Sequence, residues 1–287
     1  MSDFAIPAGL ESYRDELEKT LRPYVRITTE IVEEAGLKQS KFLGKPYLPK
    51  SVGLPKTPDG APMYLLAQIN FAEVPRLESF PEGGILQFYL STSDSYGLNW
   101  DNPTEQQGFR VLYHAETDLE ASELITDFEQ MPSLWDKADY TIPFAVYSKY
   151  EEKRNCCFAL KFEKAIAPMS PSDYQFSKKV GLDLFDSALE EEMGEAAFEQ
   201  FEEDISDYYE RFGGHRLGGY PGFTQNDPRE HSALEEEPYR LLLQVDSEAT
   251  GRIDILWGDV GTANFFIQQS ALDRLDFSKV WYNWDCG

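Results

Sequence analysis

Two stretches of the chain decide how it is expected to fold: residues 62–70 read PMYLLAQIN, and residues 238–246 read PYRLLLQVD. They align without a gap, and each carries a glutamine, Gln68 or Gln244, inside an apolar run. Short apolar runs bounded by proline are typical of buried strands. A buried amide needs hydrogen-bond partners, so each glutamine is expected to bond backbone nearby. The two stretches therefore predict two strands of the same design in different halves of the chain.

Further matched blocks occur in the same order along both halves. They are FLGKP (42–46) with RLGGYP (216–221), GILQFYL (84–90) with GTANFFI (261–267), and VLYH (111–114) with VWYN (280–283). Ordered self-similarity of this kind indicates an internal repeat. Each set of blocks follows an expected helix, at about 8–22 and at about 186–212. We therefore predict a duplicated unit, with a first copy over 1–165 and a second over 166–287, packed together as one globular protein.

The apolar pattern also predicts the fold class. Apolar residues recur at steps of three and four over both expected helices. The expected strands cover 24–32, 63–71, 84–91, 109–116, 156–168 and 280–287. A helix over 28–35 is an alternative for the end of the first strand. Helices and strands together predict an α+β fold, in which each copy holds a helix and a mainly antiparallel sheet.

Residues that both copies keep are more simply explained by the fold than by one site. Glycine can adopt positive φ, and proline fixes the bend that follows. We expect each glutamine to tie the backbone of its own Gly-Pro loop. The predicted structural residues are Gly44, Pro46, Gln68, Gly218, Pro221 and Gln244.

The segment GFTQNDPR (222–229) has no counterpart in the first half. Its Asp-Pro-Arg turn can place a carboxylate beside a guanidinium, which suits the orientation of an anion or a peptide carboxylate. Alternatively, Asp227 only closes a turn by bonding its own backbone. The candidate ligand-binding residues are His215, Gln225, Asp227, Arg229, Asp259 and Asn264.

Charge restricts the partners that the chain can bind. Its 26 basic and 51 acidic residues give a formal net charge of −25, which disfavours nucleic acids and anionic membranes. Residues 183–210 carry twelve acidic residues and no Lys or Arg. They form either a surface for a basic protein partner or a solvated helix face.

Signatures of catalysis and cofactor binding are missing from the sequence. It contains neither a phosphate-binding loop nor a nucleophile elbow, and no catalytic residue can be assigned. Histidine and cysteine spacing predicts no metal, and no cofactor is expected. Cys156, Cys157 and Cys286 do not form a disulfide framework, and no secretory signal or membrane span is evident. We expect a cytoplasmic protein.

Several motifs resemble those of a known family. They are SKFLGKPYLP, LLAQINFAEVP, LGGYPGFTQNDPR, LLLQVDS, WGDVGTANFFI and DFSKVWYNWDC. In these motifs, and over about residues 25–287, the chain is similar to the YwqG-like family of bacterial proteins of unknown function. The resemblance implies a soluble α+β protein without an established activity, cofactor or catalytic residue.

Two functional hypotheses follow from the sequence. The first is a non-enzymatic binding or interaction protein whose acidic surface engages a basic partner, an inhibitory or immunity-type protein being one form of it. The second is an enzyme or small-molecule binder that uses the loop 223–231 with Asp259 and Asn264. Binding that weakens with salt would favour the first hypothesis, because salt screens exposed charges.

Overall fold

Most of the apolar runs form strands in the computed structural model, which describes residues 6–132, 141–146, 156–232 and 237–287. The strands in these ranges are β1 Arg22–Val32, β2 Lys41–Phe42, β3 Tyr64–Asn70, β4 Ile85–Leu90, β5 Phe109–His114, β6 Phe144–Val146, β7 Cys157–Ala167, β8 His215–Gly218, β9 Tyr239–Asp246, β10 Ile253–Ile255, β11 Gly261–Gln268 and β12 Trp281–Cys286.

Ten of these strands form one antiparallel sheet, in the order β12-β11-β9-β8-β1-β7-β2-β3-β4-β5. The long strands β1 and β7 pair along their full length at its centre. Strands β6 and β10 form a separate two-stranded ribbon. Because twist accumulates from strand to strand, a sheet of this size is expected to curl.

The curl brings the two ends of the sheet into contact. The ring of Phe88 on β4 lies 4.7 Å from the ring of Phe265 on β11, measured between centroids. Phe109 on β5 lies 5.2 Å from Tyr282 on β12 in the same measure. These strands are far apart in the sheet order, so the sheet closes around a shared apolar core and has the shape of a half-barrel.

The loop between β4 and β5 crosses to the terminal strand β12. Tyr282 donates its backbone N–H to the carbonyl of Pro103 (3.0 Å) and its hydroxyl to the carbonyl of Tyr96 (3.2 Å). Trp284 donates its indole N–H to the carbonyl of Ser95 (2.8 Å). The loop therefore covers part of the edge of β12 that faces away from β11.

The predicted α+β fold, built from a duplicated helix-plus-sheet unit, is wrong: the described residues form mostly sheet, with few and short helices. The first expected helix divides into a 3-10 turn, Ala8–Tyr13, and a helix of six residues before β1 begins. The second breaks at Gly194, whose φ of +81° ends one helix and precedes the next. The helices are α1 Arg14–Lys19, α2 Phe176–Val180, α3 Leu189–Met193, α4 Glu195–Glu210 and α5 Gln269–Asp273.

The matched sequence blocks lie in matched places of the sheet. Outward from the central pair, β2, β3, β4 and β5 follow on one side, and β8, β9, β11 and β12 on the other. The predicted boundary between residues 165 and 166 lies inside β7, and β1 pairs with both β7 and β8. The division of the chain into two copies at that boundary stays a prediction.

Helix α4 packs beside this sheet through one apolar face. Its buried residues Phe201, Ile205 and Tyr208 belong to the same apolar cluster as Leu10 and Leu17 from the N-terminal helical segment. The opposite face of α4 therefore points away from the protein, and it carries the acidic residues.

Candidate functional site

The Asp-Pro-Arg turn after β8 folds onto itself. Asp227 accepts the backbone N–H of Arg229 at 3.0 Å, which is the geometry of a turn closed by its own aspartate. The same carboxylate binds the Arg229 guanidinium at two points, with Nε–Oδ1 and Nη2–Oδ2 distances of 2.9 and 2.6 Å. Both side chains are buried. The turn and the ion pair therefore occur together.

A second carboxylate completes this cluster. Asp173 lies 2.8 Å from Nη2 of Arg229, and Nη1 donates to the carbonyl of Tyr239 at 3.1 Å. Burial opposes the charge of Arg229, but the two carboxylates raise its pKa above the ordinary value. We call Asp173, Asp227 and Arg229 the Arg229 cluster. Its charges are largely satisfied from within, so the cluster positions the chain around it.

Two open clefts flank the Arg229 cluster, and Asp173 and Tyr174 line both. The acidic cleft, of about 320 Å³, is further lined by Asp183, Phe185, Tyr209, Gln225, Asp227 and Glu230. The arginine cleft, of about 280 Å³, is further lined by Arg22, Tyr220, Arg229, Glu237, Tyr239 and Arg240. These volumes lie near the lower end of the range for small-ligand sites.

The remaining predicted ligand-binding residues lie outside both clefts. His215 is buried on β8, where Nδ1 accepts the Asp246 N–H at 2.9 Å and Nε2 lies 3.1 Å from a Glu248 oxygen. Asp259 is exposed on the turn before β11. Asn264 is fully buried on β11 and donates to the Gly222 carbonyl at 3.0 Å. The structure thus pairs Asp227 with Arg229, and it places Gln225 beside Asp227 on the acidic cleft, where its side chain donates to the Cys286 carbonyl at 2.6 Å. The other three residues lie apart from this cluster.

The paired glutamines each bond three backbone groups. Gln68 accepts the N–H of Tyr47 (2.8 Å) and donates to the carbonyls of Leu37 (2.7 Å) and Gln39 (2.8 Å). Gln244 accepts the N–H of Gly222 (2.8 Å) and donates to the carbonyls of Phe212 (2.8 Å) and Gly214 (2.8 Å). Both side chains are fully buried. Each amide therefore fixes the loop that surrounds its own Gly-Pro segment.

The predicted structural glycines have the backbone conformation that glycine favours. Gly44 has φ of +79° and Gly218 has φ of +66°. A Cβ on Gly218 would lie 2.9 Å from the side chain of Leu77. Pro46 and Pro221, which follow them, are buried.

Replacing either paired glutamine with alanine is expected to lower the free energy of unfolding by about 1–3 kcal/mol, because three buried backbone groups lose their partner. Urea unfolding followed by tryptophan fluorescence measures the effect. The exposed Gln107→Ala variant is the control and should change stability by less than about 0.5 kcal/mol. Unfolding curves of Gln68→Ala and Gln244→Ala that coincide with this control would contradict the prediction.

Sequence reasoning found the Asp227–Arg229 pair but missed Asp173, Arg22 and Arg240. Asp227 and Arg229 lie within one turn, whereas Asp173, Arg22 and Arg240 come from strands and loops that are distant in the sequence. Nothing local to the sequence marks these residues as neighbours of residue 229.

The fold and the site define an antiparallel-sheet protein with an internally paired charge cluster between two open clefts. In the ranges that the structure describes, no helix has the length and apolar character needed to cross a membrane. A family model described as a domain of unknown function (DUF1963) matches residues 40–286, and the chain belongs to this family. A comparison with curated proteins gives no match. The narrower YwqG-like assignment stays a prediction.

Proposed function

We propose that this protein is a non-enzymatic binding protein whose acidic face engages a basic polypeptide. The proposal is supported above all by the exposure of the twelve carboxylates in residues 183–210 and by their lack of ion pairs with described residues. All are exposed except Asp204, which is half-buried and accepts the N–H of Gly9 at 2.5 Å. None of the twelve forms an ion pair with a described lysine or arginine. We call residues 183–210 the acidic face.

The charge of the acidic face works against the stability of its own helix. Along α4, Glu195, Glu199 and Glu203 follow one another at four-residue spacing. Each such like-charge pair is unfavourable by a few tenths of a kcal/mol. The helix is held by its buried stripe, so folding does not require this density of carboxylates. A basic partner would relieve the repulsion, which supports binding as the role of this face.

An exposed aromatic residue supplies an anchor within the acidic face. The side chain of Phe185 is 87% exposed, and it lies at the acidic cleft beside Asp183. Exposed large aromatics are enriched where proteins bind partners. The cleft also presents Tyr209 and Glu230, so a lysine or arginine could lay its aliphatic stem on the rings and its charge on the carboxylates.

The narrower sequence predictions fit this proposal and extend it. Cys157 and Cys286 are not bridged by a disulfide, which suits a reducing compartment, so we place the basic partner in the cytoplasm. Inhibition of that partner, as by an immunity-type protein, is one form that the binding could take. Nucleic acids and anionic membranes would be repelled by the same face.

The alternative function, an enzyme or small-molecule binder at 223–231 with Asp259 and Asn264, receives less support. Asp227 and Arg229 bond each other, and Asp259 lies on a separate turn. Asn264 is used to hold the Gly222 carbonyl. We therefore do not propose catalysis at these residues.

Neutralising the acidic face is expected to weaken binding of a basic probe. The probe is a fluorescent octalysine peptide, and its affinity is measured by anisotropy at about 0.05 and about 0.5 M salt. The variant E190Q/E191Q/E192Q/E195Q should bind at least about tenfold more weakly at low salt, because four exposed charges are removed from the contact surface. Phe185→Ala should also weaken binding without lowering stability.

The matched control removes four exposed carboxylates elsewhere. The variant D101N/E116Q/E129Q/E163Q has the same net charge as the first variant but keeps the acidic face. It should weaken binding by less than about threefold, a long-range charge effect only. Equal losses in both variants would attribute the binding to net charge and overturn the proposal. So would binding that does not change between the two salt concentrations.

A further inference from the structure

The arginine cleft presents two basic side chains that, among the described residues, have no acidic partner. Arg22 begins β1 and Arg240 lies on β9, and both line the cleft. Over the described ranges, neither guanidinium lies within ion-pair distance of a carboxylate. Acidic residues outnumber basic ones 51 to 26 in this chain, so two arginines in one cleft that pair with no described carboxylate are unexpected. An anionic ligand would account for them.

Both guanidiniums are held in place by neutral groups. The guanidinium carbon of Arg22 lies 4.5 Å from the ring centroid of Tyr220. That ring is itself fixed, because its hydroxyl donates to the Thr20 carbonyl at 2.7 Å. Arg240 donates to the side-chain oxygen of Gln269. The two cations are thus positioned without being neutralised, which lowers the entropy cost of binding an anion.

The two carboxylates that line the arginine cleft, Asp173 and Glu237, are occupied by other donors. Asp173 binds Arg229. Glu237 accepts the N–H and the hydroxyl of Ser270, at 2.7 and 2.5 Å. Burial lowers the pKa of Arg240, and the charge of Arg22 lowers it further, although Asp273 and Glu78 act in the opposite direction. The two arginines therefore repel each other across the cleft, and an anion between them would relieve that repulsion.

We propose that the arginine cleft binds a small phosphate ester, with its phosphate between Arg22 and Arg240. Guanidinium groups match the geometry of phosphate oxygens and can donate to two of them at once. The walls contributed by Tyr174 and Tyr239 provide an apolar surface for the organic part of the ester. The volume of about 280 Å³ suits a ligand of this size. This site does not depend on the proposed binding of a basic partner.

Calorimetric titration at constant ionic strength tests the proposal with two probes, inorganic phosphate and phenyl phosphate. Phenyl phosphate should bind at least about tenfold more tightly than phosphate, which separates an ester site from a site for the free ion. Arg22→Gln and Arg240→Gln should each weaken phenyl phosphate binding at least about tenfold. The control is Arg26→Gln, which removes the same charge from β1 outside the cleft, where Arg26 pairs with Glu163.

Several outcomes would overturn this site. One is no heat of binding from either probe at about 1 mM. Another is binding that Arg22→Gln and Arg26→Gln weaken equally, since that would reflect net charge. Equal affinity for both probes would assign the cleft to free phosphate and refute the ester. If Arg240→Gln fails to fold, as judged by circular dichroism, Arg22→Gln decides the test, because Arg22 is exposed.

Discussion

Replacing Arg229 with methionine is expected to lower the free energy of unfolding by about 3–5 kcal/mol. The side chains of Asp173, Asp227 and Arg229 are each at least nine-tenths buried, and removal of the guanidinium leaves two carboxylates facing each other without a counter-charge. The lost hydrogen bond to the Tyr239 carbonyl adds to the effect. Urea unfolding followed by tryptophan fluorescence gives the difference directly.

Two further variants test the cause of this loss. Arg26→Met breaks an exposed ion pair with Glu163 and should cost no more than about 1 kcal/mol. The triple variant D173N/D227N/R229M removes the two buried negative charges but keeps side-chain oxygens that can accept the backbone N–H groups of the turns. It should recover about 1–2 kcal/mol relative to Arg229→Met. If Arg229→Met costs as little as Arg26→Met, the Arg229 cluster does not hold buried charges in solution.

Phe265→Ala is expected to destabilise the protein by about 3–5 kcal/mol, because it opens a cavity where the two ends of the sheet meet. The Phe265 ring stacks on Tyr282 at 4.7 Å with an angle of 13° between the planes. It also lies 4.7 Å from Phe88 and 6.3 Å from Phe109. Thermal unfolding by calorimetry and urea unfolding both measure the change.

The control for this variant is the same substitution on the surface. Phe185→Ala removes a side chain that is 87% exposed and should change stability by less than about 0.5 kcal/mol. The milder Phe265→Leu should fall between the two, since it leaves a smaller cavity. Similar losses of stability for Phe265→Ala and Phe185→Ala would mean that the ends of the sheet are not packed together as described.

The strands were the part of the fold that the sequence predicted best. Six runs of apolar or alternating residues, among them 63–71 and 84–91, become β1, β3, β4, β5, β7 and β12. The short strands β2 and β8 were not predicted, because each lies beside a Gly-Pro loop and has too few residues to show a strand pattern. The fold class failed for a different reason. Apolar steps of three and four cover 8–22 and 186–212, but a 3-10 turn and Gly194 divide these stretches into short helices.

The candidate site was predictable only where it is local. Asp227 and Arg229 stand two residues apart in a turn sequence, so their ion pair follows from turn chemistry. Arg22 and Arg240 approach each other because β8 alone separates β1 from β9 in the sheet. The sequence separation of Arg22 and Arg240 does not indicate that they lie close together. The order of strands must be known before the arginine cleft can be seen.

The loop between β4 and β5, which crosses to β12, affects the tendency of the protein to aggregate at high concentration. A terminal strand rich in tryptophan and tyrosine offers unpaired backbone groups on which another molecule could add a strand, and such additions start aggregates. Here the Pro103 carbonyl takes one of those groups, and the loop stands over the aromatic side chains. This loop is therefore expected to hinder the addition of a strand from a neighbouring molecule along β12.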